Sequence, residues 1–334
     1  MTNPILVELT RGALVESVHR GAIAIADSEG ALFASLGDVD TPVYPRSSLK
    51  PIQALPLLES GAADAFSLRP EEIALACASH SGEPMHTERV AAWLKKIGCS
   101  ELDLACGAHP PRYEPVWETM IRHGESPTRI HNNCSGKHTG FLTVARHWNV
   151  ATDGYERHDH PVQMAVAKAL GDLTGLTGEL PWGVDGCTAP NFAIPLSAFA
   201  RALAKLARPD SLTQTRANAA RRIVSAMMAH PELVAGTGRA DTLIMRACKG
   251  RAAVKIGAEG VFAAILPEIG LGLAIKIDDG AARASEIAVA TVLSKLGLPT
   301  AEFARKPVLT TRGGTVGEHR PAPALAEWTP AAGD

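Results

Sequence analysis

The hydrophobic period changes twice along this chain, and the order of those changes limits what it can fold into. Residues 4–34 read as short strands, ILVELTR, ALVESVH and AIAIAD, rich in Val and Ile and separated by Gly or polar turns. From about 48 to 247 apolar residues recur at helical spacing, over 48–60, 85–97, 137–148, 160–174, 195–207, 212–229 and 239–247. Strands return within 252–278 as AVKIGA, GVFAAIL and LGLAIKID, and a helix is predicted over 281–297. Such an order does not alternate as βαβ units, which disfavours a doubly wound parallel sheet. The expected class is α+β. The N- and C-terminal strands join in one antiparallel sheet packed with helices, the 281–297 helix on one face and a helix-rich lobe (48–247) beside it. Residues 1–320 are read as a single domain of two lobes, with the cleft between sheet edge and helical lobe as the default place for a site. The Ala- and Pro-rich segment PAPALAEWTPAAGD, 321–334, is read as a flexible tail.

A length of 334 residues, 46% of them hydrophobic, suffices for a core of this size. The 33 basic and 35 acidic residues are interspersed, with no run longer than a pair such as Lys95–Lys96, so neither a nucleic-acid stripe nor a polybasic membrane patch is visible. No signal peptide is expected from MTNPILVELTRG, and the apolar stretch 253–277 is interrupted by Lys255, Glu259 and Glu268 before it could span a bilayer. The six cysteines, at 77, 99, 106, 134, 187 and 248, show no short regular spacing. A secreted disulfide framework is excluded on that ground, and a cytoplasmic location with reduced thiols is expected.

Five segments could carry chemistry. In RSSLKPIQAL, Ser47 and Lys50 stand three apart at the mouth of a predicted helix, where a deprotonated lysine can take the serine proton for acyl transfer, or where Ser47 is merely a cap. In ASHSGE, Ser79, His80 and Ser81 follow an apolar run and either face a cleft or form a turn. NNCSGKHTG and VDGCTAPNF each place a cysteine, Cys134 or Cys187, in a Gly-bearing polar loop, with Lys137 and His138 after the first and Asp185 before the second. A soft metal ion, a thiol nucleophile or close backbone packing would each explain cysteines there; two thiolates with a nitrogen or oxygen donor suit zinc. Lys255 interrupts the apolar strand AVKIGA and is either a lysine facing a cleft or a solvated gatekeeper at a sheet edge.

Together, R-S-S-x-K-P near 46, A-S-H-S-G-E near 78, N-N-C-S-G-K-H near 132, D-G-C near 185 and K-x-G-A-E-G near 255 resemble the class 3, Rhizobium etli-type, L-asparaginase family over about residues 5–320. The resemblance implies a fold similar to serine β-lactamases and glutaminases and hydrolysis of L-asparagine to L-aspartate and ammonia. It implies two catalytic Ser-Lys tandems, Ser47 with Lys50 and Ser79 with Lys255. A Zn2+ ion on Cys134, Lys137 and Cys187 is implied beside them, and Asn132, Asn133, His138 and Asp185 at the substrate's charged end, Asp185 also supporting the metal site. The implied partners are L-asparagine and a second copy of the chain in a homodimer, with no nucleic acid and no membrane. Cys248 has no place in the pattern. Two rival readings remain. One is another serine amidase or a penicillin-recognising hydrolase, against which stands the lack of a Ser-x-Asn or Lys-Thr-Gly segment in the usual places. The other is a non-catalytic zinc-binding scaffold.

Overall fold

A computed structural model describes residues 2–331. Four strands open the chain: β1 (Ile5–Arg11), β2 (Leu14–Asp27), β3 (Leu32–Leu36) and β4 (Pro42–Val43). Helices α1 (Lys50–Gln53), α2 (Leu55–Glu59), α3 (Ala62–Ala65), α4 (Pro70–Ala76), α5 (Pro84–Lys96), α6 (Glu114–His123), α7 (Ser135–His147) and α8 (Pro161–Thr174) follow. After the short strands β5 (Trp182–Val184), β6 (Pro190–Phe192) and β7 (Ile194–Pro195) come α9 (Leu196–Ala207), α10 (Gln214–Ala229), α11 (Pro231–Val234) and α12 (Ala240–Cys248). The last elements are β8 (Ala253–Ile256), β9 (Val261–Leu266), β10 (Leu271–Ile277), α13 (Ala282–Lys295), β11 (Lys306–Leu309), β12 (Thr315–Pro321) and α14 (Pro323–Ala326). The described residues form two compact units, one of residues 2–48, 194–211 and 244–331, the other of Leu49–Ala193 and Leu212–Leu243.

The first unit is built on an eight-stranded antiparallel sheet in the order β11-β12-β1-β2-β10-β9-β8, with β3 also on β2. As expected for an α+β chain, the two terminal strand sets meet in one sheet: β10 pairs with Gly21–Asp27 of β2 over its whole length. The sequence reads two strands, ALVESVH and AIAIAD, where the structure has one of 14 residues. Gly21, which looks like punctuation, is a close-approach site instead. A Cβ there would lie 2.3 Å from the Lys276 carbonyl oxygen and 3.1 Å from Leu6 Cδ1, so only glycine lets the strand pass.

β9 is buried at all six positions, which for a strand means cover on both faces. α13 packs on β1, β9, β10 and β12, and α9 packs on β2, β9 and β10. Helical period alone puts α9 in the middle lobe, but its residues belong to the sheet unit, because the apolar strands need a second cover that α13 cannot give. The segment from Pro321 is also more structured than its composition suggests. β12 ends at Pro321 on β1, the amide of Ala322 donates to the Leu6 carbonyl at 2.9 Å, and Leu325 of α14 is buried. The residues of that tail beyond 331 lie outside the described ones.

The second unit is helical. Its central element is α7, buried from Ser135 through Ala145, and α2, α3, α4, α5 and α8 all pack on it. Polar residues survive inside this helix because Thr139 and Thr143 return their hydroxyls to the carbonyls of Ser135 and Thr139, at 2.8 and 2.7 Å. Pro70, Pro84 and Pro161 open α4, α5 and α8, where a missing N–H costs nothing. Among the described residues no helix is long and apolar enough to cross a membrane.

Gly21→Ala is expected to destabilise the protein by about 2–3 kcal/mol, since the added methyl meets backbone that cannot rotate away. The melting temperature should fall by roughly 5–10 °C. Gly171→Ala in α8, whose nearest atom would be 3.5 Å away, is the control and should be neutral or stabilising by roughly 0.5–1 kcal/mol. Equal melting of the Gly21→Ala variant and the wild type would show that the strands do not need this approach.

Candidate active site

In the second unit, three segments distant in sequence meet at one amine. Lys50, at the start of α1, is 1% exposed. Its Nζ donates to the Ala78 carbonyl at 2.5 Å, to Ser79 Oγ at 3.0 Å and to Cys134 Sγ at 3.1 Å. An ammonium has three donors, so a protonated Lys50 is saturated. When Nζ loses a proton it becomes an acceptor, and the same contact lets Ser79 donate its hydroxyl proton.

Ser79 sits in a loop that is buried from Ala78 to Glu83 and fixed at successive residues. The amide of Ser79 donates to the Val234 carbonyl at 2.9 Å, that of His80 to the Asn133 carbonyl at 3.2 Å, and Ser81 Oγ to the Ala235 carbonyl at 2.9 Å. His80 Nδ1 accepts from the Gly82 amide at 3.2 Å, which leaves its Nε2–H for Ser135 Oγ at 2.9 Å. The His80 ring stacks on His86 at 4.9 Å. This segment is therefore not a surface turn but a rigid, desolvated mount for the serine.

The two loop cysteines are brought together. Cys134 caps α7 and is hydrogen-bonded to Cys187, while Lys137 Nζ donates to Cys187 Sγ at 3.0 Å; all three side chains are buried. The Cys134 thiol is pushed up to about 12, first by the hydrogen bond it shares with Cys187 and then by burial. Cys187 moves the other way, well below the usual thiol value, because Cys134 donates to its sulfur and Lys137 adds its charge. Burial pulls the Lys137 ammonium down, but the two sulfurs outweigh it and the net shift is upward, with Asp185 contributing. Among the described residues no group of three or more His, Cys, Asp or Glu is arranged for a metal. The converging donors are two sulfurs and an amine, a soft and compact set that fits a zinc ion.

The other residues implied for substrate are placed as follows. Asn132 Nδ2 donates to the carbonyls of Cys106 and Gly107 at 2.6 and 3.1 Å, and its Oδ1 accepts the Cys134 amide at 2.9 Å, so its side chain shapes the loop under Cys134. Asn133 is half-buried and gives its carbonyl to His80. His138 is fully buried. Tyr155 OH accepts the Ala105 amide at 2.9 Å and is hydrogen-bonded to His138 Nδ1 at 2.6 Å, and burial holds the imidazole down at about 3. Asp185 is half-buried and accepts the Gly186 amide at 2.6 Å. Tyr155 went unnoticed in the sequence, since no spacing ties it to His138.

In the first unit, Ser47 is half-buried in the turn Arg46–Leu49, beside Ser48, whose Oγ donates to the Pro45 carbonyl at 2.6 Å. Lys255 is 1% exposed in β8 and donates to the Ile256 carbonyl at 2.8 Å. A solvated gatekeeper is thereby ruled out, although β8 is an edge strand, because the side chain is buried. Cys248 is buried in the same unit, and burial raises its thiol to about 11.

The family model described as L-asparaginase II matches residues 7–321. No curated protein matches the chain. Among solved structures the chain is similar to Mglu in its native form, with 15% identity, a TM-score of 0.50, and coverage of 90% of this chain and 69% of that one. It is also similar to a β-lactamase from Mycobacterium bovis, at 13% identity and a TM-score of 0.42 over 79% of this chain and 89% of that one. A third is simvastatin synthase from Aspergillus terreus, LovD6 mutant, at 12% and 0.41 over 77% and 86%. At such identities the Mglu likeness is one of fold.

The stacked imidazoles give a pH dependence. Burial holds both His80 and His86 below their ordinary value of 6.5, and His86 lowers His80 further. The native state keeps them neutral while the unfolded chain takes up protons near pH 6.5. Their stabilisation is thus complete above that pH and is lost as pH falls from 6.5 toward the depressed native values. His86→Gln should flatten the slope of unfolding free energy below pH 6.5 by up to one proton, about 1.4 kcal/mol per pH unit, in urea unfolding measured from pH 7 to 4. An unchanged slope would mean that His86 is not neutral in the fold.

Proposed function

We propose that this chain, which belongs to the L-asparaginase II family of amidohydrolases, hydrolyses L-asparagine to L-aspartate and ammonia at a Ser-Lys site. The observation that carries the reading is the buried Lys50 amine held 3.0 Å from Ser79 Oγ. A buried primary amine against a hydroxyl is a pair that can take a proton from a serine nucleophile and pass it to a leaving group without histidine. Ser47, Lys50, Ser79 and Lys255 are the proposed catalytic set.

In this mechanism Ser47 Oγ attacks the side-chain amide carbon while Lys50, three residues along the chain, takes the hydroxyl proton. The C–N bond breaks as its nitrogen receives a proton through the Ser79 hydroxyl, and ammonia leaves. Water then adds to the aspartyl ester, gives a proton to the Lys50–Ser79 pair, and releases aspartate as Ser47 recovers its hydrogen. Lys255 supplies the second amine of the set. Cys134, Lys137 and Cys187 are the proposed zinc ligands, and Asp185 attracts the lysine among them. When bound, the ion supplies a fixed positive charge beside the charged end of the substrate.

Steady-state kinetics on asparagine and glutamine test the reading. Asparagine should be strongly preferred, because holding the amino-acid end of a longer side chain misplaces its amide carbon. Ser47→Ala, Lys50→Ala, Ser79→Ala and Lys255→Ala should each lose nearly all activity, and no combination should lose much more, since the four act as a unit. An ester trapped by acid quench should map to the peptide containing Ser47. Near wild-type turnover in Ser79→Ala or Lys255→Ala would remove that residue from the set.

The metal proposal is tested separately. Protein purified without chelator should carry about one zinc per chain, and Cys187→Ala should lose it. That variant should show a raised KM with a smaller change in kcat, since the Ser-Lys chemistry does not use a metal-bound hydroxide. Wild-type kinetics in excess chelator, from protein free of zinc, would give the two cysteines another purpose.

A further inference from the structure

Cys134 before α7, Lys137 in its first turn and Cys187 in the turn between β5 and β6 come from distant segments, yet one stretch of backbone, Ala105–Gly107, is bonded to a side chain within two residues of each. Asn132 uses both ends of its amide here, Nδ2 on the carbonyls of Cys106 and Gly107 and Oδ1 on the amide of Cys134. Next to Lys137, His138 Nδ1 is bonded at 2.6 Å to the Tyr155 hydroxyl, which accepts the Ala105 amide at 2.9 Å. Next to Cys187, the Thr188 hydroxyl reaches the Ala105 carbonyl at 3.2 Å and shares its one proton with the Cys187 carbonyl. Ala105 is thus tied through its amide to α7 and through its carbonyl to the turn of Cys187.

Tyr155 is itself fixed. It is 1% exposed, its carbonyl accepts Gln163 Nε2 of α8 at 3.0 Å, and burial pushes its phenol upward and keeps it neutral. His138 Nε2 is buried and has no hydrogen-bond partner among the described residues, so the polar hold on that ring is the Tyr155 hydroxyl. The Tyr155 ring also packs on Phe141, with 6.5 Å between centroids, and the Lys137 amine lies 5.4 Å over the Phe141 ring. At the other end of the path the backbone of Thr188 is left-handed, at φ 74°, which a β-branched residue adopts only where its surroundings over-determine it. A strained turn with its hydroxyl on Ala105 is placed by what holds Ala105, and the Ala105 amide is held by Tyr155.

We propose that Tyr155 is a positioning residue for the cysteine and lysine cluster: its hydroxyl, acting through Ala105 and Thr188, keeps the Cys187 sulfur at the Lys137 amine, 3.0 Å away. The inference rests on the zinc reading for what the cluster binds and deepens it, because a ligand set grips an ion well when its members are held in place before the ion arrives.

Cys187 is buried, so iodoacetamide reaches it only when this region opens. Its labelling in chelator-treated protein, mapped by peptide mass, reads the positioning without metal or turnover. Tyr155→Phe keeps the ring and removes the hydroxyl, and Thr188→Val, at an exposed residue, removes the next hydroxyl along the path. Each should label Cys187 about fivefold faster or more, the opening expected from one lost hydrogen bond, while Cys77, buried in the same unit, stays within about twofold of wild type. Thr188→Ser should keep the wild-type rate. The double variant should label little faster than the faster single one, since both act through Ala105; rates that multiply would overturn that route. Zinc affinity, read by competition with a chromophoric chelator, should fall about tenfold or more in both variants. If wild-type protein takes up no zinc while Cys187 labelling responds as stated, the zinc reading fails and the positioning role stands. Cys187 labelling unchanged in both folded variants, or raised only together with that of Cys77, would overturn the positioning role whatever the zinc content.

Discussion

One lysine side chain holds the helical unit's chemistry together. Lys50 reaches from the first turn of α1 to a loop after α4 and to the residue capping α7, and it satisfies a carbonyl, a hydroxyl and a sulfur with one nitrogen. A buried amine is tolerated only when its hydrogen bonds are made, so the loop of Ser79 and the start of α7 are held to one arrangement. The same end of α7 brings Cys134 to Cys187 and Lys137 to both. The loop of Ser79 and the sulfur cluster are thus not two arrangements placed side by side. They are consecutive residues of one hydrogen-bonded chain that runs from Ser79 through Lys50 and Cys134 to Cys187 and Lys137.

The electrostatics of this region follow from dryness more than from net charge. Burial keeps His80, His86 and His138 neutral, and it raises the thiol of Cys106 to about 12. Against that background the thiolate settles on Cys187, the sulfur with both a thiol donor and an ammonium beside it. Neutral imidazoles act here as posts. His80 spans the loop after Ser79 and the first residue of α7, and Tyr155 holds the His138 ring through Nδ1.

Much of the architecture can be read from the sequence, because burial writes itself into period. Strands at both ends, a helical middle and the return of β8, β9 and β10 all follow from apolar spacing, and the polar loops around Cys134 and Cys187 stand out because cysteine is unusual there. Other features depend on partners far along the chain. Gly21 looks like a break until Lys276 is known to pass 2.3 Å from where its Cβ would be. α9 carries the same period as its neighbours, and only the double burial of β9 shows which unit it must cover. β12 has too few apolar residues to announce itself and is held by β1, with Arg320 paired to Glu8 at 3.2 Å. The joining of Lys50 to Ser79, and of His138 to Tyr155, has no local signal, because side-chain contacts across tens of residues leave no period.

The long strand β2 has a consequence for how the molecule is made. Its first half pairs with β1 and its second half with β3, both close by in sequence, but the other edge of that second half needs β10, which begins some 250 residues later, and β1 in turn needs β12. On a ribosome the opening hairpin emerges first and waits, its outer edges unpaired, while the whole of α1–α8 and α10 is synthesised and folds. The sheet closes only when β12 has been made. During that interval the exposed strand edges of β1 and β2, which carry Leu14, Val15 and Val18 on their surface even in the finished fold, are the part of the nascent protein with most need of a chaperone.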